Sequence, residues 1–162
     1  MLPVTTCLWF NTEGEEAATF YVSLVPNSRI TKVTHYTVET PSPNPVGSVL
    51  TVDFELNGQR FQALNGGPEF PFTEAASLVL ACDDQEEADR LWETLGTGGE
   101  FGPCGWLKDR FGLSWQIYPS ELDELFEDPD PQRAAAAMRT MLSQSRIDVS
   151  EIKSAMEAAV RT

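Results

Sequence analysis

A nucleophilic triad needs an imidazole beside a serine or cysteine, and this chain has a single histidine, His35. It stands in the alternating segment ITKVTHYTV, where a surface or satisfied strand residue is the simpler reading. Cys7, Cys82 and Cys104 are odd in number, widely spaced and form no CxxC pair. They predict reduced thiols in a cytoplasmic protein rather than a disulfide framework or a thiolate zinc site. The acidic clusters at 13–16 and 83–87 could supply paired carboxylates, yet both stand where a helix begins, and capping accounts for them. GTGGEFG, residues 96–102, has the glycine content of a phosphate cradle in the wrong setting. Nucleotide loops follow a strand and open a helix, whereas this one follows a helix and enters a strand. Left-handed glycines at a helix stop explain it better.

The elements that hold these residues repeat along the chain. A shift of 71 lays Thr12-Glu13-Gly14-Glu15-Glu16-Ala17 over Asp83-Asp84-Gln85-Glu86-Glu87-Ala88. Thr12 and Asp83 are the expected N-caps, with Glu15 and Glu86 closing capping boxes. Behind them Ala17, Phe20, Tyr21 and Leu24 recur at helical spacing, as do Ala88, Leu91, Trp92 and Leu95. A strand is expected before each helix, at 5–11 and 76–82. A second shift, of 54, pairs Gly58-Gln59-Arg60-Phe61-Gln62 with Gly112-Leu113-Ser114-Trp115-Gln116. The first half then continues with strands at 29–39, 48–56 and 59–65, the last two joined by the hairpin signal Asn57-Gly58. TPSPNPVG (40–47) is a proline-rich loop. The second half compresses this pattern into strands at 100–102, 105–108 and 113–118. Each half reads strand, helix, strand, strand, strand. Beyond Pro119 two amphipathic helices are expected. One, at 131–143, carries Met138, Met141 and Leu142 on one face. The other, at 148–160, has Asp148 as cap and Ile152, Met156 and Ala159 on one face.

The bulk numbers limit what such a fold can meet. Of 162 residues, 41% are hydrophobic, with nine Phe and four Trp, enough for a buried core. Eleven basic against 25 acidic side chains leave a net charge of −14. That surface repels phosphate backbones and anionic membranes, so neither nucleic acid nor membrane is an expected partner. The N-terminus has no basic region ahead of an apolar run, so no signal peptide is expected. The expected location is the cytoplasm.

A duplicated βαβββ unit resembles the vicinal oxygen chelate superfamily, which includes glyoxalase I, extradiol dioxygenases, and fosfomycin- and bleomycin-resistance proteins. Within it the chain is most similar to the PhnB-like, or demethylubiquinone methyltransferase-like, family. CLWFNTEGEEAATFYVSLVPNSRI, FQALNGGPEF and CGWLKDRFGLSWQIYP carry the resemblance, over residues 5–119. It implies an α+β fold of two βαβββ modules, at 1–66 and 67–119, facing each other around a small-molecule cavity. Helices at 120–162 complete one integrated domain. Catalytic relatives hold a divalent metal on His or Glu from the first and last strands of each module. Carried onto this chain, those positions are Thr6, Gln62, Ser77 and Gln116. Four neutral side chains bring no anionic charge to offset a metal's dehydration, so no metal or other cofactor is expected. Strand alternation from these four places Leu8, Phe10, Leu64, Val79 and Tyr118 on the cavity side. It places Trp9, Phe61 and Trp115 on the helix side, and turns Cys7 away from Thr6.

The function that follows is metal-free binding of a small apolar or mixed-polarity molecule, with a homodimer as the expected assembly. Two alternatives stand beside it. One is an enzyme, either a metal-dependent lyase or dioxygenase, or the methyltransferase of the family label. No strand-to-helix glycine turn is present to cradle a nucleoside methyl donor. The other is a structural or interaction protein whose cavity is filled by its own side chains.

Overall fold

The computed structural model describes residues 3–160, and the chain divides into two units, one ending at Phe72 and the other starting at Thr73.

The first unit runs β1 (Thr6–Phe10), α1 (Gly14–Leu24), β2 (Arg29–His35), β3 (Val49–Leu56) and β4 (Gln59–Asn65). Its four strands form one sheet in the order β1-β4-β3-β2. The β1–β4 pair is parallel, and the others are antiparallel. Helix α1 buries Ala17, Ala18 and Tyr21. Beneath it lie Val52, Phe54 and Leu56 of β3 and Phe61 and Ala63 of β4, all buried. Phe54 stacks on Phe61 with centroids 5.4 Å apart, and Tyr21 tilts onto Phe54 at 6.4 Å. One face of the sheet is thus filled by a helix. The other carries Thr51, Asp53 and Glu55, all only part-buried, as alternation along a half-covered strand requires. Asn57 and Gly58 both take positive φ, 44° and 86°, the pair of left-handed residues that lets a two-residue turn follow the strand twist.

The second unit repeats the plan with β5 (Ser77–Cys82), α2 (Gln85–Gly96), β6 (Glu100–Phe101), β7 (Trp106–Lys108) and β8 (Ser114–Pro119). The sheet order is β5-β8-β7-β6, again with the first pair parallel. Two βαβββ modules of the same topology are therefore present, as the internal repeat predicts. Helix α2 buries the expected stripe of Ala88, Leu91, Trp92 and Leu95. This unit also contains α3 (Glu121–Phe126), α4 (Pro131–Ser143) and α5 (Val149–Ala159).

Helix α3 was not anticipated; its single turn and a half offers too short a run for periodicity to register. On α4 the buried residues are Ala136 and Ala137, while Met138 and Leu142 are exposed. The expected Met138/Met141/Leu142 stripe is corrected at Met138 and Leu142. Alanines let α4 approach its neighbours closely; Met141 packs against that contact, as expected, while Met138 and Leu142 fall outside it. On α5 the stripe is Val149, Ile152 and Met156, which joins Leu122, Ala136, Ala137 and Ile147 in one core cluster. Gln85 ties this core to α2, donating to the Ile147 carbonyl at 2.7 Å and accepting from the Val149 N–H at 3.0 Å. Among the described residues no helix is long and apolar enough to cross a membrane.

The helix caps lie one residue later than expected. The N-cap of α2 is Asp84, whose carboxylate accepts from the Glu87 N–H, while Glu87 accepts in return from the Asp83 N–H. At α1 the N-cap is Glu13, and the first helical N–H, that of Gly14, donates to Asn65 of β4 at 2.8 Å. Two residues, Asn11 and Thr12, separate β1 from the Glu13 cap, whereas Asp83 alone separates β5 from Asp84. The strand-to-helix turn is thus one residue longer in the first module. That difference governs the site.

Candidate functional site

Partners across a ladder share a face of the sheet. On β4, Phe61, Ala63 and Asn65 are buried toward α1, so Gln62 and Leu64 look out from the open face. The β1–β4 register pairs Thr6 with Phe61, Leu8 with Ala63 and Phe10 with Asn65. Thr6, Leu8 and Phe10 therefore belong to the helix face, and the expectation that they line a cavity with Gln62 is corrected. Cys7 and Trp9, paired with Gln62 and Leu64, occupy the open face instead. Alternation counted from Thr6 predicts the reverse for both. The cause is the longer strand-to-helix turn. A shift of 71 fits the helices, but the strands match at 72, and a slip of one residue exchanges the faces of a whole strand.

The corrected correspondence follows from the two parallel ladders. Gln62 pairs with Cys7, and Gln116 pairs with Val79. Two residues before each partner lie Thr5 and Ser77, so Thr5 and not Thr6 is the counterpart of Ser77. A cleft of about 430 Å³ on the first unit is lined by Thr5, Cys7, Asp53, Glu55, Arg60 and Gln62, among others. Gln62 is fixed within it by donating to the Asp53 carboxylate at 2.8 Å. Arg60 and Arg29 both approach Glu55, at 3.8 and 2.9 Å. Partial burial raises the Cys7 thiol above its ordinary pKa, which keeps it a neutral thiol at neutral pH.

In the second unit Trp115 and Ile117 are buried, and Gln116 and Tyr118 alternate with them on the open face. Ser77 and Val79 share that face through the register with Ser114 and Gln116. Gln116 donates to the Ser77 hydroxyl at 2.9 Å, so here the predicted pair is brought together. Burial and the neighbouring Asp123 raise the Tyr118 phenol, which stays protonated at neutral pH. Phe61 and Trp115 lie in the core as expected. His35, at the end of β2, is exposed.

The donor set decides whether a divalent metal fits. After the correction the positions are Thr5 and Gln62 in one unit and Ser77 and Gln116 in the other: two hydroxyls and two amides. Both amide nitrogens already donate to partners inside their own module. Cys7 adds only a neutral thiol. Among the described residues no three His, Cys, Asp or Glu side chains are grouped to hold a metal. These residues do not fit a zinc, nickel or iron centre. Nor do they fit a nucleoside methyl donor. The turns entering α1 and α2 carry Asn11-Thr12-Glu13 and Asp83-Asp84, acidic where a glycine cradle would be needed.

A sequence profile of the family described as 3-demethylubiquinone-9 3-methyltransferase matches residues 3–118. A solved structure from Bacillus cereus, described as a putative 3-demethylubiquinone-9 3-methyltransferase, PhnB protein, is 34% identical. The match covers 71% of this chain and 97% of that one, with a TM-score of 0.62. Protein PA1353 from Pseudomonas aeruginosa is 22% identical over 71% of this chain and 95% of its own, at a TM-score of 0.57, and speaks to the fold alone. No curated protein gives a significant match. The profile match ends at residue 118, ahead of α3, α4 and α5, which places the family signal on the two βαβββ modules. On the profile match and the Bacillus cereus relative, the chain belongs to the 3-demethylubiquinone-9 3-methyltransferase, or PhnB-like, family.

Proposed function

We propose that the protein binds a small molecule of mixed polarity in the cleft on the open face of the first module, by hydrogen bonds and without a metal. The observation that carries the reading is the cleft's lining. Its volume of about 430 Å³ suits a metabolite-sized ligand. Its floor is built from Thr5, Cys7 and Gln62, the positions reached from the first and last strands of the module. Gln62 offers its amide oxygen to a donor on the ligand, since its N–H is turned to Asp53. Thr5 contributes a hydroxyl and Arg60 a guanidinium. A ligand that pairs one hydrogen-bond donor with one acceptor would satisfy this set.

The test is a thermal-shift screen of the intact chain against a metabolite library, followed by titration of each hit, since a real ligand stabilises the fold by an amount that grows with the logarithm of its concentration above Kd. Gln62→Leu and Thr5→Val should each weaken a hit by roughly tenfold, the loss of one hydrogen bond to a buried partner. Thr6→Val, on the other face of the strand, should leave the affinity unchanged. A hit that responds to Thr6→Val and ignores Thr5→Val and Gln62→Leu would overturn the reading.

A further inference from the structure

We propose that the ligand of the first module's cleft is a small carboxylate that also carries a hydroxyl or N–H donor. The inference rests on the cleft reading above and names the chemical class that the cleft takes.

Three observations carry it. The first is where the cations lie. Residues 1–72 contain three basic side chains, Arg29, Lys32 and Arg60, and all three belong to the open face of one sheet. Arg29 is in register with Glu55, Glu55 with Arg60, and Lys32 with Asp53. The acids are distributed the other way. Of seven in the same stretch, only Asp53 and Glu55 stand on strands, and the rest lie on α1, at its cap or in loops. The strands therefore bring three cations against two carboxylates to this face, a surplus of one positive charge on a chain of net charge −14.

The second observation is how those charges are used. Arg29 takes Glu55 at 2.9 Å, and the Gln62 N–H takes an Asp53 oxygen at 2.8 Å. Arg60 approaches Glu55 only through Nε and only to 3.8 Å, longer than a hydrogen bond. Its guanidinium lines the cleft together with the Thr5 hydroxyl. A planar fork of N–H donors matches the two oxygens of a carboxylate. The third observation is that the fold does not require a cation there. The internal repeat sets Arg60 over Ser114, and β8 keeps its pairing with a small buried residue at that place.

Arg60 and Gln62 stand two residues apart on one face of β4, about 7 Å along the strand. A carboxylate held by Arg60 and Thr5 brings the far end of a small molecule to the Gln62 amide oxygen, which accepts a hydroxyl or N–H hydrogen. One surplus charge suits a monoanion. A phosphate dianion would add a second negative charge to a chain that is already acidic.

The test titrates the intact, isotope-labelled chain with ω-hydroxy carboxylates of three to six carbons and with their carboxamides, read by NMR at the Arg60 Nε–H and the Gln62 side-chain amide. At least one acid should saturate and bind roughly tenfold more tightly than its amide, the difference made by one charge-assisted pair. Arg60→Gln should erase that preference, and with its side chain 51% exposed the variant should fold normally. Gln62→Leu should weaken acid and amide alike. Arg139→Gln, at an exposed arginine of α4, should change neither. An acid preference that survives Arg60→Gln, or tighter binding of the matching phosphate monoester, would overturn the proposal. So would an amide that binds as well as its acid; if that amide still responds to Gln62→Leu, the cleft reading stands without the charge. Absence of any shift would overturn the proposal too, and the thermal-shift screen then decides the cleft reading by itself.

Discussion

Asp109 shows how much of a family signature can be structural. Its side chain is buried and accepts the backbone N–H of Phe111 at 2.8 Å, that of Leu113 at 3.1 Å and the indole N–H of Trp115 at 2.9 Å. It thereby ties the turn before β8 to the largest fully buried side chain of the unit. Replacing it by alanine strands buried donors that nothing else can satisfy, so Asp109→Ala should lower stability by about 3 kcal/mol in urea unfolding. A loss under about 1 kcal/mol would mean that water serves these donors instead. In the sequence Asp109 is one acid among many. Nothing in its spacing distinguishes a buried carboxylate from a solvated one, because that depends on where the indole of Trp115 comes to rest. The same holds for Ser114, which reads as an ordinary strand serine until its burial is known. Trp115 and Phe61, by contrast, are legible as core from alternation alone.

At the scale of elements, the order of strands and helices was readable because each module states it twice, in capping acids and in hydrophobic stripes. What failed was phase. The turn between β1 and α1 contains one residue more than its counterpart, so the helix alignment, carried back into the strand, put Thr6 where Thr5 belongs. A hydrophobic count could not detect the slip, because TCLWF has bulky residues on both faces. The N-cap of α5 was legible, since Asp148 precedes an apolar stripe. Its carboxylate accepts from the Ser150 hydroxyl and from the Ser150 and Glu151 N–H groups. These bonds, the Ser150 hydroxyl foremost, hold the Asp148 carboxyl below its usual pKa. A depressed folded-state pKa gives stability that is present above the unfolded value, near 3.9, and is lost as pH falls through the folded value. Asp148→Ala should therefore cost about 1 kcal/mol at neutral pH. The gap to the parent chain should narrow as pH drops below roughly 4. A gap that stays constant down to pH 3 in a series of thermal midpoints would contradict this account.

For the whole molecule the governing quantities are charge and the core of the second unit. With 25 acidic residues against 11 basic ones, the folded chain repels itself. Raising ionic strength toward 0.15 M, where screening acts within about 8 Å, should raise the thermal midpoint. A midpoint that falls would show that ion pairs such as Arg146–Asp89 and Lys153–Glu121 outweigh the repulsion. The C-terminal helices belong to the second unit's core, with Ile152 fully buried among Leu122, Ala137 and Met156. Ile152→Ala should cost about 3 kcal/mol in urea unfolding of the intact chain, by transfer and cavity terms together. Above these stands the neutral donor set, Thr5 and Gln62 on one open face and Ser77 and Gln116 on the other. The direct measurement is metal content after dialysis of the purified chain against zinc and nickel and extensive washing. The account predicts retention well below one ion per chain, unaltered by Gln62→Leu or Gln116→Leu. One tightly held ion per chain, released by either substitution, would contradict it.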